Sequence, residues 1–183
     1  CHTKGLDRIF RICLEETSKN PLEIMETLMS QPFCHMHGPE HHVMVGAALL
    51  TAYKNAGGNL NLESALSEMQ SRGREVPGGV CGFWGACGAG ISSGIFVSIV
   101  TGSTPLAKEA WGLSNQMTSA ALAKIGAVGG PRCCKRDSNL AILAAVDFAR
   151  EYLHVEMETS PVRCRRSTEN NQCIGSHCPF FAG

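Results

Sequence analysis

The chain has 183 residues and a mass of 19.6 kDa, enough for one domain with a sizeable core of its own. Hydrophobic residues make up 44% and charged residues 17%, a composition that excludes a disordered chain. Sixteen basic residues balance 16 acidic ones, so the basic excess that broad nucleic-acid binding requires is missing. The unusual number is ten cysteines, which a domain of this size does not need for stability.

The first part of the chain is predicted to form two helices. An apolar stripe with the spacing of one helical face marks the first: Leu6, Ile9, Phe10 and Cys13. Asn20 caps the second, with Pro21 at its first position and Glu23 reaching back to the cap, and this helix ends at Pro32.

Turn signals place four further helices. We predict the third over residues 39–58 and the fourth over residues 61–73. Another helical stretch covers residues 104–126, with an interruption at Gly112 left open. The last long helix is predicted over residues 131–155.

Residues 76–107 carry no charge, so a membrane span must be weighed against a buried helix. Many glycines and serines dilute the stretch, and turns lie at both of its ends. These features favour a central buried helix from Trp84 to Val100, in which Gly90 and Gly94 let neighbouring helices approach closely.

Beyond Pro161 the chain is polar, rich in cysteine and without period, and no alternation typical of strands occurs anywhere. We therefore predict an all-α fold, a compact multi-helix bundle around a buried Gly/Ala-rich central helix. A helical domain over residues 1–160 would carry a metal-binding tail, residues 161–183, packed on it.

The first candidate site is the histidine-rich segment over residues 34–42. His37 would precede a helix and His41 and His42 would lie one turn inside it, so that His37 and His41 could converge on one metal. Glu40 could orient a histidine or act as a general base. Capping and hydrogen bonding inside the core explain the same residues, and both readings stay open.

The second candidate site is the segment CGFWGACG, residues 81–88. Cys81 is predicted to lie in a turn and Cys87 near the start of the buried helix. The glycines leave room for a bulky cofactor, and helix-start N–H groups favour anionic sulfur. The spacing of the two cysteines is not a zinc signature.

The third candidate site is the helix start that holds Cys133 and Cys134. The helix dipole and the charges of Arg132, Lys135 and Arg136 are expected to lower the pKa of both thiols. This pattern predicts reactive sulfur or cluster ligation. The alternatives are two small core residues or a strained vicinal disulfide.

The tail is the fourth candidate site, with Cys164, Cys173 and Cys178 in an aperiodic loop. Such a loop favours a metal over free thiols, and structural zinc fits nearly as well as an iron–sulfur cluster. A fourth ligand is needed, for which Cys1, Cys34 or a residue upstream of the given sequence are the candidates.

Three motifs resemble those of one known family: MHGPEHH over residues 36–42, CGFWGACG over residues 81–88 and GGPRCCKR over residues 129–136. With the cysteines of the tail, they make the chain similar to an uncharacterised cysteine-rich domain of anaerobic bacteria and methanogenic archaea. That domain occurs in proteins related to radical S-adenosylmethionine (SAM) enzymes. The resemblance implies an oxygen-avoiding cytoplasm and a role in iron–sulfur or sulfur chemistry.

The leading hypothesis is a cytoplasmic metal-binding protein of anaerobic redox or sulfur metabolism. Its cofactor would be an iron–sulfur cluster, of the [4Fe–4S] type, with zinc as the alternative. One site would use Cys81, Cys87, Cys133 and Cys134, with His37, His41, His42 and Arg132 as further cofactor-binding residues. A second site would use Cys164, Cys173 and Cys178.

Two other hypotheses stay open. One is a thiol-dependent oxidoreductase or sulfur transferase with Cys133 or Cys134 as the nucleophile and Glu40 as a further catalytic residue. The other is a zinc-stabilised interaction module. A radical SAM enzyme or another redox protein is the expected partner, and neither nucleic acid nor a membrane is expected to bind.

Overall fold

The computed structural model describes residues 2–183, and within them it contains eight α-helices and no strand, so the predicted all-α fold is confirmed. The helices in chain order are α1 His2–Glu15, α2 Pro21–Met29, α3 His41–Asn55, α4 Leu62–Gly73, α5 Val80–Phe83, α6 Gly88–Thr101, α7 Glu109–Val128 and α8 Cys134–Phe148. A π-helical turn, Ala149–Leu153, extends α8, and a 3-10 turn, Gly175–His177, lies in the tail.

Asparagine caps start α2 and α4, as predicted. The Asn20 side chain accepts the N–H groups of Leu22 and Glu23 at 3.0 and 3.4 Å, and Asn61 caps α4 in the same way. Glu23 reaches back through Ser18, whose hydroxyl donates to the Glu23 carboxylate at 3.0 Å and accepts the N–H of Asn20 at 3.1 Å.

Local turns shorten several predicted helices. Helix α7 begins at Glu109 and not at residue 104 as predicted, because Thr104 accepts the N–H groups of Leu106 and Ala107 in a separate turn. The helix then runs unbroken through Gly112, so the interruption considered there is wrong. The predicted starts at residues 39 and 131 and the end at residue 32 likewise lie two or three residues outside the observed helices.

The uncharged segment forms two helices rather than one. Residues 84–87 separate α5 from α6, with Gly85 in the left-handed region at φ +65°. The predicted start at Trp84 is therefore wrong, and Cys81 lies inside α5 instead of in a turn, whereas Cys87 is the N-cap residue of α6. Across residues 2–183, none of the helices has both the length and the apolar character that crossing a bilayer requires.

Two helices occupy the centre of the bundle. The glycine-rich α6 packs against α3, α4, α7 and α8. The most deeply buried helix is α3, in which 13 of 15 residues are buried and which contacts α1, α2, α4, α6 and α8. Because α3 begins inside the histidine-rich segment, this packing fixes that segment relative to α8.

The tail folds back onto the helices through hydrogen bonds and one buried aromatic ring. The N–H of Cys164 donates to the carbonyl of Phe180 at 2.8 Å, and the Phe180 side chain is buried. Arg166 forms two hydrogen bonds with the carboxylate of Glu26 on α2, at 2.7 and 3.1 Å. These contacts hold the cysteines of the tail against α2 and α8.

Close contact between α6 and α7 depends on glycine, and it supplies a test of the fold. A Cβ at Gly94 would lie 3.2 Å from the carbonyl oxygen of Ser114 and would overlap the hydroxyl of Thr118. Gly94→Ala should therefore lower the free energy of unfolding by about 1–3 kcal/mol, measured by urea denaturation. Gly112→Ala is the control, because open space surrounds Gly112 on α7, and it should stabilise by about 0.5–1 kcal/mol. Equal effects of the two substitutions would contradict the packing.

Candidate functional site

The predicted motifs meet at the first turn of α8. Cys133 precedes the helix, and its sulfur accepts the N–H of Arg136 at 3.5 Å. The three charged residues that follow are almost fully buried: Lys135 is 5% exposed, Arg136 4% and Asp137 3%. Because burying a charge is costly unless it finds partners, each of these side chains fixes the groups that it contacts.

Four cysteines from two parts of the chain line one cavity beside this turn: Cys133, Cys164, Cys173 and Cys178. We call it the four-cysteine cavity. An isolated backbone β-bridge pairs Cys164 with Phe181 and closes the tail into a loop. This loop brings the three cysteines of the tail to the same side of α8 as Cys133.

Backbone N–H groups point at the sulfurs of this cavity. The N–H of Arg166 donates to the Cys164 sulfur at 3.3 Å, and that of Gly175 donates to the Cys173 sulfur at 3.4 Å. Together with the bond at Cys133, three of the four sulfurs accept a backbone hydrogen bond. Such bonds stabilise negative charge on sulfur and are among the contacts that tune metal-bound thiolates.

Positive charge surrounds the same cavity. Four basic side chains line it: Lys135, Arg136, Arg163 and Arg166. The one carboxylate in the lining belongs to Glu26, which Arg166 already binds. The cavity therefore favours an anionic occupant.

A chain of hydrogen bonds joins the histidine-rich segment to the cavity. The N–H of Cys134 donates to Nδ1 of His37 at 3.4 Å, which leaves Nε2 as the donor to Asn170 Oδ1 at 3.1 Å. The Asn170 amide donates in turn to the Cys133 sulfur at 3.7 Å. Burial lowers the pKa of His37, which agrees with a neutral imidazole in this series of hydrogen bonds.

The buried ammonium of Lys135 lies among polar atoms of the histidine-rich segment. Its Nζ is 3.3 Å from the Cys34 sulfur, 3.1 Å from Nε2 of His41 and 2.7 Å from the carbonyl oxygen of His35. Nδ1 of His41 donates to the Gly38 carbonyl at 2.8 Å, so the lone pair on Nε2 faces Lys135. Burial, followed by the charge of Lys135, lowers the pKa of His41 to about 3.

Cys34, Glu40 and His41 could hold a metal ion. Their ligand atoms all lie within 4.8 Å of one another, and no other group of three metal-ligating side chains does so in the described part of the chain. Burial alone would raise the pKa of Glu40, but hydrogen bonds from the N–H and Nδ1 of His35, at 2.7 and 3.1 Å, help to hold it below its usual value. A cation entering this triad would compete with the ammonium of Lys135.

A second cavity, of about 540 Å³, opens next to the same turn of α8. Cys81 and Cys87 line it together with Arg132 and Asp137, and we call it the dithiol cavity. The Cys87 thiol donates to Oδ2 of Asp137 at 3.8 Å, while Arg136 donates from Nε to Oδ1 at 3.1 Å.

The pKa values of the buried thiols shift in the direction opposite to the one predicted. Burial raises the pKa of Cys133, raises that of Cys134 to about 11 and, with the nearby charge of Asp137, raises that of Cys87 to about 12. The expected lowering at Cys133 and Cys134 is therefore wrong, because lost hydration outweighs the helix dipole and the adjoining cations. Binding of a metal would supply the charge that stabilises these thiolates.

The cysteines predicted around one site are divided in the structure. Cys133 lines the four-cysteine cavity, Cys81 and Cys87 line the dithiol cavity, and Cys134 faces the backbone N–H of Gly38. Among the described residues, Cys133 is the fourth cysteine that lines the cavity of the tail, and Cys34, one of the predicted candidates, does not line it.

The other residues predicted near these sites have separate surroundings. Cys34 contacts Lys135, Cys13 is fully buried in the core as predicted, and Cys1 lies outside the described residues. The structure does not bring His37 and His41 to one point, and His42 bonds to the carbonyl of Val76 at 2.9 Å.

A family model described as a family of unknown function, DUF5714, matches residues 9–181. The chain belongs to this family. The predicted membership of an uncharacterised domain family is thereby confirmed, and the match includes the second half of α1, for which the sequence offered no motif. No curated protein and no solved structure shows significant similarity to the chain.

Sequence reasoning did not single out Asn170 or Asp137 as members of a site, and it named Cys34 only as one candidate for the fourth ligand of the tail. A signal for Asp137 was present, because three consecutive charged residues open a helix whose remaining residues are largely apolar. Nothing local marks Asn170, since its partner His37 is 133 residues away in the chain, and Lys135, which contacts Cys34, is 101 residues away from that cysteine.

The contact between Lys135 and the triad generates a metal-binding prediction. Lys135→Met removes the ammonium and keeps the apolar volume, so the affinity of the protein for Co²⁺ should rise at least about tenfold. The measurement is a cobalt titration followed by the thiolate–cobalt absorption band. The gain should disappear in the double variant Lys135→Met/Cys34→Ser, and a gain that survives there would show that the metal binds elsewhere.

Proposed function

We propose that this protein is an iron–sulfur protein in which Cys133, Cys164, Cys173 and Cys178 ligate a [4Fe–4S] cluster. The observation that carries the proposal is the convergence of these four cysteines on one cavity. Three of them come from the tail, which buries few apolar side chains. Ligation of a cofactor would therefore contribute to the stability of the folded tail.

The spacing of the sulfurs supports a cluster rather than a single zinc ion. Zinc–sulfur bonds of about 2.3 Å place the sulfurs of a tetrahedral site about 3.8 Å apart. No three ligand atoms of the four-cysteine cavity lie within even 4.8 Å of one another among the described residues. A cubane cluster requires larger distances between the cysteine sulfurs, since each cysteine binds a different iron.

The electrostatics of the cavity support the same cofactor. A cluster with four thiolate ligands carries net negative charge, and basic side chains predominate around this cavity. The N–H groups that point at three of the sulfurs would further stabilise the reduced, more negative state.

When bound, the cluster would supply one-electron redox chemistry, which suits the proposed role in anaerobic redox or sulfur metabolism. The predicted radical SAM partner and the cytoplasmic location rest on the resemblance of the three motifs, and both stay predictions. Co-purification under anaerobic conditions, with the cluster intact, is the direct measurement of partnership.

The test of the cluster is reconstitution with iron and sulfide under anaerobic conditions, followed by iron and acid-labile sulfide analysis. The protein should bind about four iron and four sulfide per chain and show the electron paramagnetic resonance signal of a reduced [4Fe–4S] cluster. Zinc without iron or sulfide would contradict the proposal.

A matched pair of variants tests the ligands. Cys133→Ala should lose most of the iron, because Cys133 lines the cavity, whereas Cys134→Ala should retain it, because Cys134 is the next residue in the chain and lies outside the lining. Cys164→Ala and Cys178→Ala should behave like Cys133→Ala. Iron loss in Cys134→Ala, or its retention in Cys133→Ala, would assign the cluster to other residues.

A further inference from the structure

The dithiol cavity has the size and lining of a binding site for a small molecule. Its volume of about 540 Å³ falls in the range of ligand pockets in proteins. Apolar groups from α5 and α7, among them Phe83, Leu122 and Ile125, form much of its wall. Arg132 is exposed at the cavity and can bind an anionic group.

The backbone brings the two cysteines of this cavity close together. The carbonyl of Val80 accepts the N–H groups of both Trp84 and Ala86, at 2.9 and 3.4 Å. The chain between them therefore closes into a tight loop. Cys81 and Cys87 follow Val80 and Ala86 in the chain, so both residues lie at the base of that loop, and both are half-buried and line the cavity.

A buried ion pair makes the two thiols unequal. Arg136 donates to the carbonyls of Gly129 and Pro131 at 2.9 and 3.0 Å as well as to Asp137, which holds the carboxylate in place. The second oxygen of Asp137 accepts the thiol hydrogen of Cys87. Cys87 is thereby kept as a thiol beside the buried carboxylate, whereas Cys81 lies on the short helix α5.

We propose that Cys81 and Cys87 form a redox-active dithiol that reduces a small disulfide bearing a carboxylate. Cys81 is the attacking thiol, Cys87 is the resolving thiol, and Arg132 binds the carboxylate of the substrate. The inference concerns a different cavity from the cluster and does not rest on it.

The reaction is a pair of thiol–disulfide exchanges. The sulfur of Cys81 attacks one sulfur of the substrate disulfide, whose S–S bond breaks, and the first released thiol takes the proton that Cys81 gives up. The sulfur of Cys87 then attacks the Cys81 sulfur and releases the second thiol, which takes the proton of Cys87. The substrate gains two electrons and the protein is left with a disulfide between Cys81 and Cys87.

In the test, the anaerobically purified chain of 183 residues is incubated with oxidised glutathione and its peptides are then mapped without reduction. A peptide crosslinked between Cys81 and Cys87 is expected. Cys87→Ser should trap glutathione on Cys81, and Cys81→Ser should leave Cys87 unmodified. Absence of the crosslink, or glutathione trapped on Cys87 in the Cys81→Ser variant, would overturn the assignment.

Two comparisons test substrate recognition and separate this site from the cluster. Arg132→Gln should slow the exchange with oxidised glutathione about fivefold and leave the exchange with cystamine, which carries ammonium groups instead of carboxylates, undiminished. Equal slowing with both disulfides would overturn the role of Arg132.

Cys81→Ser and Cys87→Ser should keep the iron content of the parent protein, and loss of iron would identify the two cysteines as metal ligands instead.

Discussion

The structure depends on the burial of three consecutive charges in the first turn of α8. Lys135, Arg136 and Asp137 are each about 95% removed from solvent, and burial of that kind is tolerated only when every charge is compensated. Lys135 and Asp137 have their partners far away in the sequence, in the histidine-rich segment and at the start of α6, whereas Arg136 binds carbonyls of the loop directly before α8. The need to satisfy these charges holds the motifs in one place.

One helical turn thereby separates two cavities that are lined by cysteines. Cys133 faces the basic four-cysteine cavity, whereas Asp137, one turn further along, binds Cys87 in the dithiol cavity. Arg136 lines both cavities, so its single guanidinium contributes positive charge to one and fixes the carboxylate of the other.

Local chemistry made the fold largely predictable and the site only partly so. The caps Asn20 and Asn61 act on neighbouring backbone, and the small residue Gly94 acts through its own missing side chain, so the sequence showed their roles directly. Which cysteines share a cavity depends instead on the fold of the tail, where Cys133 joins residues that follow it by 31 to 45 positions. The thiol pKa values shifted upwards because burial, which no local pattern reveals, outweighs the charge of Arg136 near Cys133 and that of Arg132 near Cys134.

Anomalous diffraction at the iron edge, on crystals of the anaerobically reconstituted protein, tests the central claim most directly. The account predicts one strong iron peak enclosed by Cys133, Cys164, Cys173 and Cys178, and none at Cys81 and Cys87. An iron peak at the dithiol cavity or at the Cys34–Glu40–His41 triad, with the four-cysteine cavity empty, would contradict it.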